Sequence, residues 1–525
     1  MSFRNETTFE SAKAKGNIEE IHSDYEKAVE SLLEIAGRSY PNIIDGKERK
    51  AAHEFEDECP SDTSLVVGRF QKGTREDVSD AVIVAEKAFR GWSMMDYTAR
   101  LKFFDKAAEI MRKDKHLLAA AVTLDNGKNR YEAMADVDEA IDFIEYYRWQ
   151  MEKYDGYARE MHSPYSEEKV KSVLRPYGVW AVICPFNFPA AITTGMTTGA
   201  LITGNTVVLK PSSPVPLPVY MVYDIFSRAG IPDGVLNFVA GPGAEVGDAL
   251  INHRKIGGVV FTGSKEIGYG IIRQTGREHP IPVIAEMGGK NPIIVTSNAN
   301  VDDAVAGVAS SAFGYGGQKC SACSRVYVHR SVYEEFTSKL VDRTKGLRIG
   351  DPSKRDVFLG PVVTGKAVKD FERYANMARK DGRIIVGGMR LTDGALGKGH
   401  FVQPTIAVDL PFNHYLVKNE LFLPFLCVQK VKSLEEAMKK ANDVEYGLTA
   451  GVFTKDERER EYFFDNIEAG VTYSNRKRGG STGAMVGGQA FGGWKASGST
   501  GKGAGGEYYL LQFMREQSRT TYCQS

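Results

Sequence analysis

The sequence predicts an α/β protein whose first core is a parallel sheet, followed by a second α/β domain. Three observations carry that expectation. From Val173 onward, short apolar runs that end in Gly, Pro or polar turns alternate with helical segments. The runs Val179–Cys184, Thr206–Leu209, Val235–Val239, Gly258–Phe261 and Pro282–Ala285 recur every ~22 to 29 residues, the spacing that strand–helix–strand crossovers need. At 525 residues the chain is also too long for one ordinary core and should divide into two or three domains.

Taken in order, residues 1 to 16 are polar and expected to be loosely ordered. From Ile18, apolar residues step by three and four through Ile21, Tyr25, Val29 and Leu32, which predicts an amphipathic helix. Leu101, Phe104, Ala108 and Met111 predict a second, and Val137, Ile141 and Ile144 a third. The five apolar runs then build the parallel sheet, and ligands of such sheets bind just beyond the carboxyl ends of the strands. Asn291–Thr296 and Arg325–His329 read as strands of a second series, with a helix marked by Val332, Phe336 and Leu340. A glycine-rich region runs from Gly479 to Gly506.

Composition narrows the function classes. Lys+Arg and Asp+Glu both number 67, so the formal net charge is zero. A nucleic-acid-binding domain would carry a basic excess. The short run Arg476-Lys477-Arg478 sits among glycines and reads as a solvated loop. The opening Met1–Glu6 lacks the apolar stretch of a secretory signal. No window reaches the ~18 uninterrupted apolar residues of a membrane span. Neither nucleic acid nor membrane is therefore an expected partner. Six cysteines in a chain of this length suit a reducing compartment, so a cytoplasmic location is expected.

Three motifs carry chemistry. In Gly316-Gly317-Gln318-Lys319-Cys320-Ser321-Ala322-Cys323, small neighbours leave the Cys320 thiol open to close approach, as a nucleophile needs. The Cys320/Cys323 pair also fits a C-x-x-C pattern. However, a structural zinc wants four ligands and the nine histidines are scattered, so no metal is expected. Glu286-Met287-Gly288-Gly289-Lys290 places a carboxylate at a strand end, where it suits a general base. Pro185-Phe186-Asn187-Phe188-Pro189 offers a side-chain amide to a developing oxyanion, or a plain turn between prolines. Cofactor signals are subtler. The run Gly241 to Gly247, with Gly243 inside it, is one residue too long for the dinucleotide fingerprint. Phe261-Thr262-Gly263-Ser264-Lys265-Glu266-Ile267-Gly268 follows a strand and opens a helix, which presents N–H groups to a phosphate. Lys210 closes Val207-Val208-Leu209, within reach of a ribose hydroxyl.

Asn187, Lys210, the Thr262–Gly268 loop, Glu286 and Cys320 fall in an order and separation that resemble the aldehyde dehydrogenase superfamily. Gly350-Asp351-Pro352, Gly360-Pro361 and Asn419-Glu420-Leu421-Phe422-Leu423-Pro424 extend the resemblance from about Tyr40 to about Ser518. It implies an aldehyde dehydrogenase-like fold: a Rossmann-type cofactor domain with a parallel sheet, an α/β catalytic domain and a small oligomerisation arm. The expected division is a helical extension over 1–40 and a cofactor domain over 41–285 with an oligomerisation hairpin near 155–177. A catalytic domain over 286–480 follows, then a substrate-anchor loop and C-terminal arm over 481–525.

The resemblance also implies roles. Cys320 attacks the aldehyde, Asn187 and the Cys320 N–H hold the oxyanion, and NAD or NADP accepts the hydride. Glu286 activates the water that releases the acid. Lys210 and Glu420 hold ribose hydroxyls, with Phe422 against the nicotinamide ribose, and Thr262, Gly263, Ser264, Gly268 and Gly243 complete the cofactor contacts. A homo-oligomer, dimer or larger, is implied.

A narrower resemblance is to the 1-pyrroline-5-carboxylate dehydrogenases. It lies in Gly317 to Arg325, in Thr482-Gly483-Ala484-Met485-Val486-Gly487, and in Phe491-Gly492-Gly493 and Lys502 to Gly506. The substrate implied is glutamate γ-semialdehyde and the product glutamate. Lys319, Ser321 and the N–H groups near Gly483 and Ala484 grip the substrate, with Phe188 and Phe491 along its stem. Adjacent backbone donors of this kind form an anion nest.

Three departures stand beside this. The Asn475–Thr482 segment is longer than usual, and Leu423 replaces a glycine. Ser213 stands where NAD-preferring members carry a glutamate that would repel a 2′-phosphate, which leaves NADP open. The alternatives are a dehydrogenase of another semialdehyde or aliphatic aldehyde, an acyl-transferring dehydrogenase, and a catalytically silent binding protein.

Overall fold

The computed structural model describes residues 3–276, 280–477 and 485–523. Two seven-stranded sheets dominate it. The first contains β1 (Asn42–Ile44), β2 (Lys47–Arg49), β3 (Val179–Ile183), β4 (Thr206–Lys210), β5 (Leu236–Phe238), β6 (Ile256–Thr262) and β7 (Val283–Glu286) in the order β7-β6-β3-β4-β5-β1-β2. Strands β3 to β7 are mutually parallel, and the β1–β2 hairpin adds an antiparallel edge. These five are the apolar runs singled out above. Parallel strands are covered on both faces, so they show as continuous apolar stretches and not as alternation.

The second sheet holds β8 (Asn291–Val295), β9 (Cys323–His329), β10 (Arg383–Val386), β11 (Thr405–Val408), β12 (Phe425–Val431), β13 (Thr449–Phe453) and β14 (Val471–Ser474). Their order is β10-β11-β12-β9-β8-β13-β14, parallel except at β10. A separate three-stranded sheet pairs Glu168–Pro176 with Ala158–Met161 on one side and Met514–Tyr522 on the other, all antiparallel.

The expected helices appear as α2 (Ile18–Glu34), a helix over Tyr97–Lys113, and α3 (Arg130–Lys153). One expectation is corrected: residues 3–16 are ordered, and α1 spans Thr8–Lys15. Its order comes from docking and not from local propensity. Asn5 Nδ2 and the Glu6 N–H donate to the Asp142 carboxylate at 2.8 and 2.7 Å, and the Thr8 N–H donates to Asp138 at 2.8 Å. Gly16, left-handed at φ +75°, then ends the helix. Among the described residues, no helix is long and apolar enough to cross a membrane.

Candidate active site

The chain segment before Cys320 is a tight left-handed turn, with Tyr315, Gly316 and Gly317 at φ +47°, +60° and +66°. At Gly317 a side chain has no room, because a Cβ would sit 2.7 Å from the Leu423 carbonyl carbon. Glycine also removes the strain of the left-handed conformation. Two side chains pin the turn. Glu132 on α3 accepts from the Tyr315 N–H at 2.9 Å and from Lys319 Nζ at 2.6 Å. Asn291, opening β8, donates from Nδ2 to the carbonyls of Cys320 and Ala322 at 2.7 and 2.9 Å, while its Oδ1 accepts from the Thr449 N–H at 3.0 Å. Cys320 is held partly exposed at this point, whereas Cys323 is buried and its thiol donates to the Arg325 carbonyl at 3.4 Å. Burial, with Glu420 and Glu286 nearby, pushes the Cys320 thiol well above the ordinary thiol range.

Two cavities meet at Cys320 and Thr262. The larger, of about 480 Å³, lies beyond the carboxyl ends of β3 and β6 and is lined by Asn187, Gly263, Ser264, Gly288, Glu420 and Phe422 among others. Ser264 caps α4 (Lys265–Thr275), its Oγ accepting from the Ile267 N–H at 3.4 Å, so the positive end of that helix opens on the cavity. Gly288 approaches Glu420 so closely that a Cβ would strike the carboxylate, which accepts from the Gly289 N–H at 2.9 Å. Burial raises the Glu420 carboxyl to about 7. Phe422, left-handed at φ +56°, stands edge-on to Phe186 with ring centroids 5.5 Å apart. Gly268 lets α4 rest on Met287, since a Cβ there would lie 2.9 Å from Met287 Cγ. A cleft with a helix amino end, close glycine backbone and a carboxylate at its rim fits a dinucleotide.

Three proposed cofactor residues are not on that wall. Lys210 is buried and its Nζ donates to the Pro211 carbonyl at 3.0 Å, with burial lowering its amine to about 8. Ser213 turns its hydroxyl to the Gly241 carbonyl at 3.3 Å, and its neighbours Ser212 and Pro214 line the cavity instead. Gly243 is exposed at the start of the helical turn Gly243–Gly247.

The second cavity is narrow and mainly apolar, walled by Phe188, Glu286, Ser321, Phe491, Glu139 and Tyr509. Glu286 closes β7, and its Oε2 accepts from the Gly493 N–H at 3.3 Å. Burial raises its carboxyl to about 8. Phe188 and Glu139 also face an outer vestibule that contains Lys319. Gly483 and Ala484 lie outside the described residues.

Sequence reasoning missed Glu139 and Asn291. Burial, reinforced by neighbouring Asp136, raises the Glu139 carboxyl to about 8. Its one sequence signal was the carboxylate stripe Glu132, Asp136, Glu139 at helical spacing. Asn291 carried no signal, because its partners are far along the chain.

An α/β cleft fit for a dinucleotide, with a thiol and a carboxylate on its inner side, is the arrangement of a nicotinamide-dependent dehydrogenase acting through a thioester. The chain belongs to the aldehyde dehydrogenase family, whose model matches residues 47–518. It is 38% identical over 500 residues to the 1-pyrroline-5-carboxylate dehydrogenase of Geobacillus sp. (strain WCH70), covering 94% of this chain and 95% of that one. A Thermus 1-pyrroline-5-carboxylate dehydrogenase solved with bound NAD superposes with a TM-score of 0.93 at 36% identity, covering 99% of both chains. The Staphylococcus aureus betaine aldehyde dehydrogenase, solved in complex with NAD+, matches with a TM-score of 0.89 at 29% identity, covering 96% of this chain and 98% of that one.

Proposed function

We propose that this chain oxidises L-glutamate γ-semialdehyde, the open form of 1-pyrroline-5-carboxylate, to glutamate with NAD or NADP as acceptor, a step of proline catabolism. The observation that carries the reading is the position of Cys320, which faces the dinucleotide cleft on one side and the cavity holding Glu286 on the other.

The Cys320 thiol loses its proton to a base, and the thiolate adds to the aldehyde carbon to give a thiohemiacetal. The Asn187 amide, buried at 3% exposure on the cleft wall, donates to the oxyanion. The nicotinamide, when bound, supplies the two-electron acceptor that takes the hydride. The thioester left on Cys320 is then hydrolysed by water that Glu286 deprotonates, releasing the acid and the thiol. Glu420, Phe422 and the Thr262–Ser264 turn, which line the cleft, would hold the cofactor. Phe188 and Phe491 flank the aliphatic stem, and Ser321 lies toward its carboxylate end.

The exposed strand Met514–Tyr522 and its sheet offer a long free edge, which suits pairing with a second copy and hence a homo-oligomer. Six unpaired cysteines among the described residues suit the cytoplasm.

A panel of aldehydes with and without an α-amino carboxylate tests the substrate. The expected result is a kcat/KM for the semialdehyde at least about tenfold above that for an uncharged aldehyde of equal length. Equal values would leave a general aldehyde dehydrogenase.

A further inference from the structure

The vestibule of about 850 Å³ that leads past Phe188 and Glu139 to the inner cavity is lined by four cations and eight carboxylates. Three are committed. Lys128 is fully buried and bonds Asp136 at 2.9 Å, with its ammonium 3.6 Å from the centre of the Phe188 ring. Lys319 is paired with Glu132 at 2.6 Å. Arg355 holds Glu19 and Glu26 at 2.7 and 2.9 Å. The fourth, Arg476, has no carboxylate partner among the described residues and donates to the neutral amide Oε1 of Gln489 at 3.2 Å.

Its position is fixed from behind. Asn475 Nδ2 donates to the Thr454 carbonyl and its Oδ1 accepts from the Thr454 N–H, at 2.8 and 3.0 Å, with Asn475 left-handed at φ +51°. The Arg476 carbonyl lies against Gly307, where a Cβ would approach it to 2.9 Å. Lys477 points the other way, to Asp303 at 3.3 Å. The backbone on both sides of Arg476 is thus tied to the second sheet and its helix, while the guanidinium faces the vestibule.

A guanidinium with spare donors and no counter-ion is a receptor for a carboxylate, in single or forked geometry. Among the surrounding carboxylates the attraction acts at contact range, between the guanidinium and the substrate's carboxylate, and it weakens with salt. We propose that Arg476 captures the carboxylate of an anionic aldehyde substrate in the vestibule and so sets the preference for carboxylate-bearing over neutral aldehydes. This rests on the functional reading above. It adds an entry site, distinct from the groups that hold the substrate at the thiol.

The test compares the semialdehyde with an uncharged aldehyde of the same chain length, in wild type, Arg476→Gln and Arg476→Lys, at low and high ionic strength. The expected result is that Arg476→Gln lowers the ratio of the two kcat/KM values by about tenfold, through KM for the semialdehyde. Arg476→Lys should recover most of the ratio, and the salt dependence of semialdehyde turnover should flatten in Arg476→Gln alone. Equal losses on both substrates, or an unchanged ratio, would overturn the proposal in favour of a packing role beside Gln489. Wild type that turns over the neutral aldehyde but not the semialdehyde would sink the functional reading itself, a separable outcome.

Discussion

Glu286 and Cys320 are both pushed up by the burial that makes the inner cavity apolar, and this fixes the sign of the pH response. A carboxyl titrating near 8 is mostly protonated at neutral pH and becomes a base only as pH rises through that value. Steady-state turnover should therefore climb between pH 7 and 9. Glu286→Gln should lower kcat by ~10²-fold or more and abolish the climb, while a single-turnover burst of reduced nicotinamide persists. A Glu286→Gln enzyme with the wild-type pH profile would remove Glu286 from deacylation. Asn291 makes a different prediction, about stability as well as rate. Asn291→Ala strands the buried carbonyls of Cys320 and Ala322 and the Thr449 N–H, and should cost about 2–4 kcal/mol in denaturant unfolding, with a fall in kcat. An unchanged midpoint would show that the clamp is dispensable. The positions of Cys320, Glu286 and Asn187 were legible because each follows a strand or sits among small residues. Asn291 was not, since its partners lie far along the chain, and the burial that sets Glu139 and Lys210 comes from packing that their local sequence does not show.

At the scale of elements, the central parallel strands were legible from their apolar runs, and α2 and α3 from their three-four periodicity. The N-terminus was not, because α1 is held by bonds spanning 130 residues or more. Those bonds tie it to the walls of the site. Asn5 Nδ2 donates to the Val486 carbonyl at 2.9 Å as well as to Asp142, so the segment joins α3 to the turn closed by the Met485–Gln489 bridge. Behind it, α2 buries Tyr25, whose hydroxyl donates to Thr123 Oγ1 at 2.6 Å, and Glu26 accepts from Arg130 and Arg355. Removal of residues 1–16 should leave a folded enzyme with an unfolding midpoint lower by a few degrees and a raised KM for the aldehyde. A midpoint and KM equal to those of the full chain would make the segment a passive appendage.

The whole molecule assembles its site from both sheets. Glu286 and the helix-capping Ser264 come from the first sheet, while Cys320, Asn291 and Glu420 come from the second and its loops. The glycine-rich stretch around Ser497 stitches them together: Gly498 pairs with Glu286, and the Met287 N–H donates to the Ser497 carbonyl at 2.8 Å. That crossing was not legible, because a glycine-rich stretch carries neither helical nor strand periodicity. The central claim is that one thiol carries the acyl group. It is tested most directly by reduced-nicotinamide formation from 1-pyrroline-5-carboxylate, with NAD and NADP in parallel, in wild type, Cys320→Ala and Cys323→Ala. The account predicts turnover in wild type and most of it in Cys323→Ala, with none above background in Cys320→Ala. Turnover retained in Cys320→Ala, or equal loss in both variants, would contradict it.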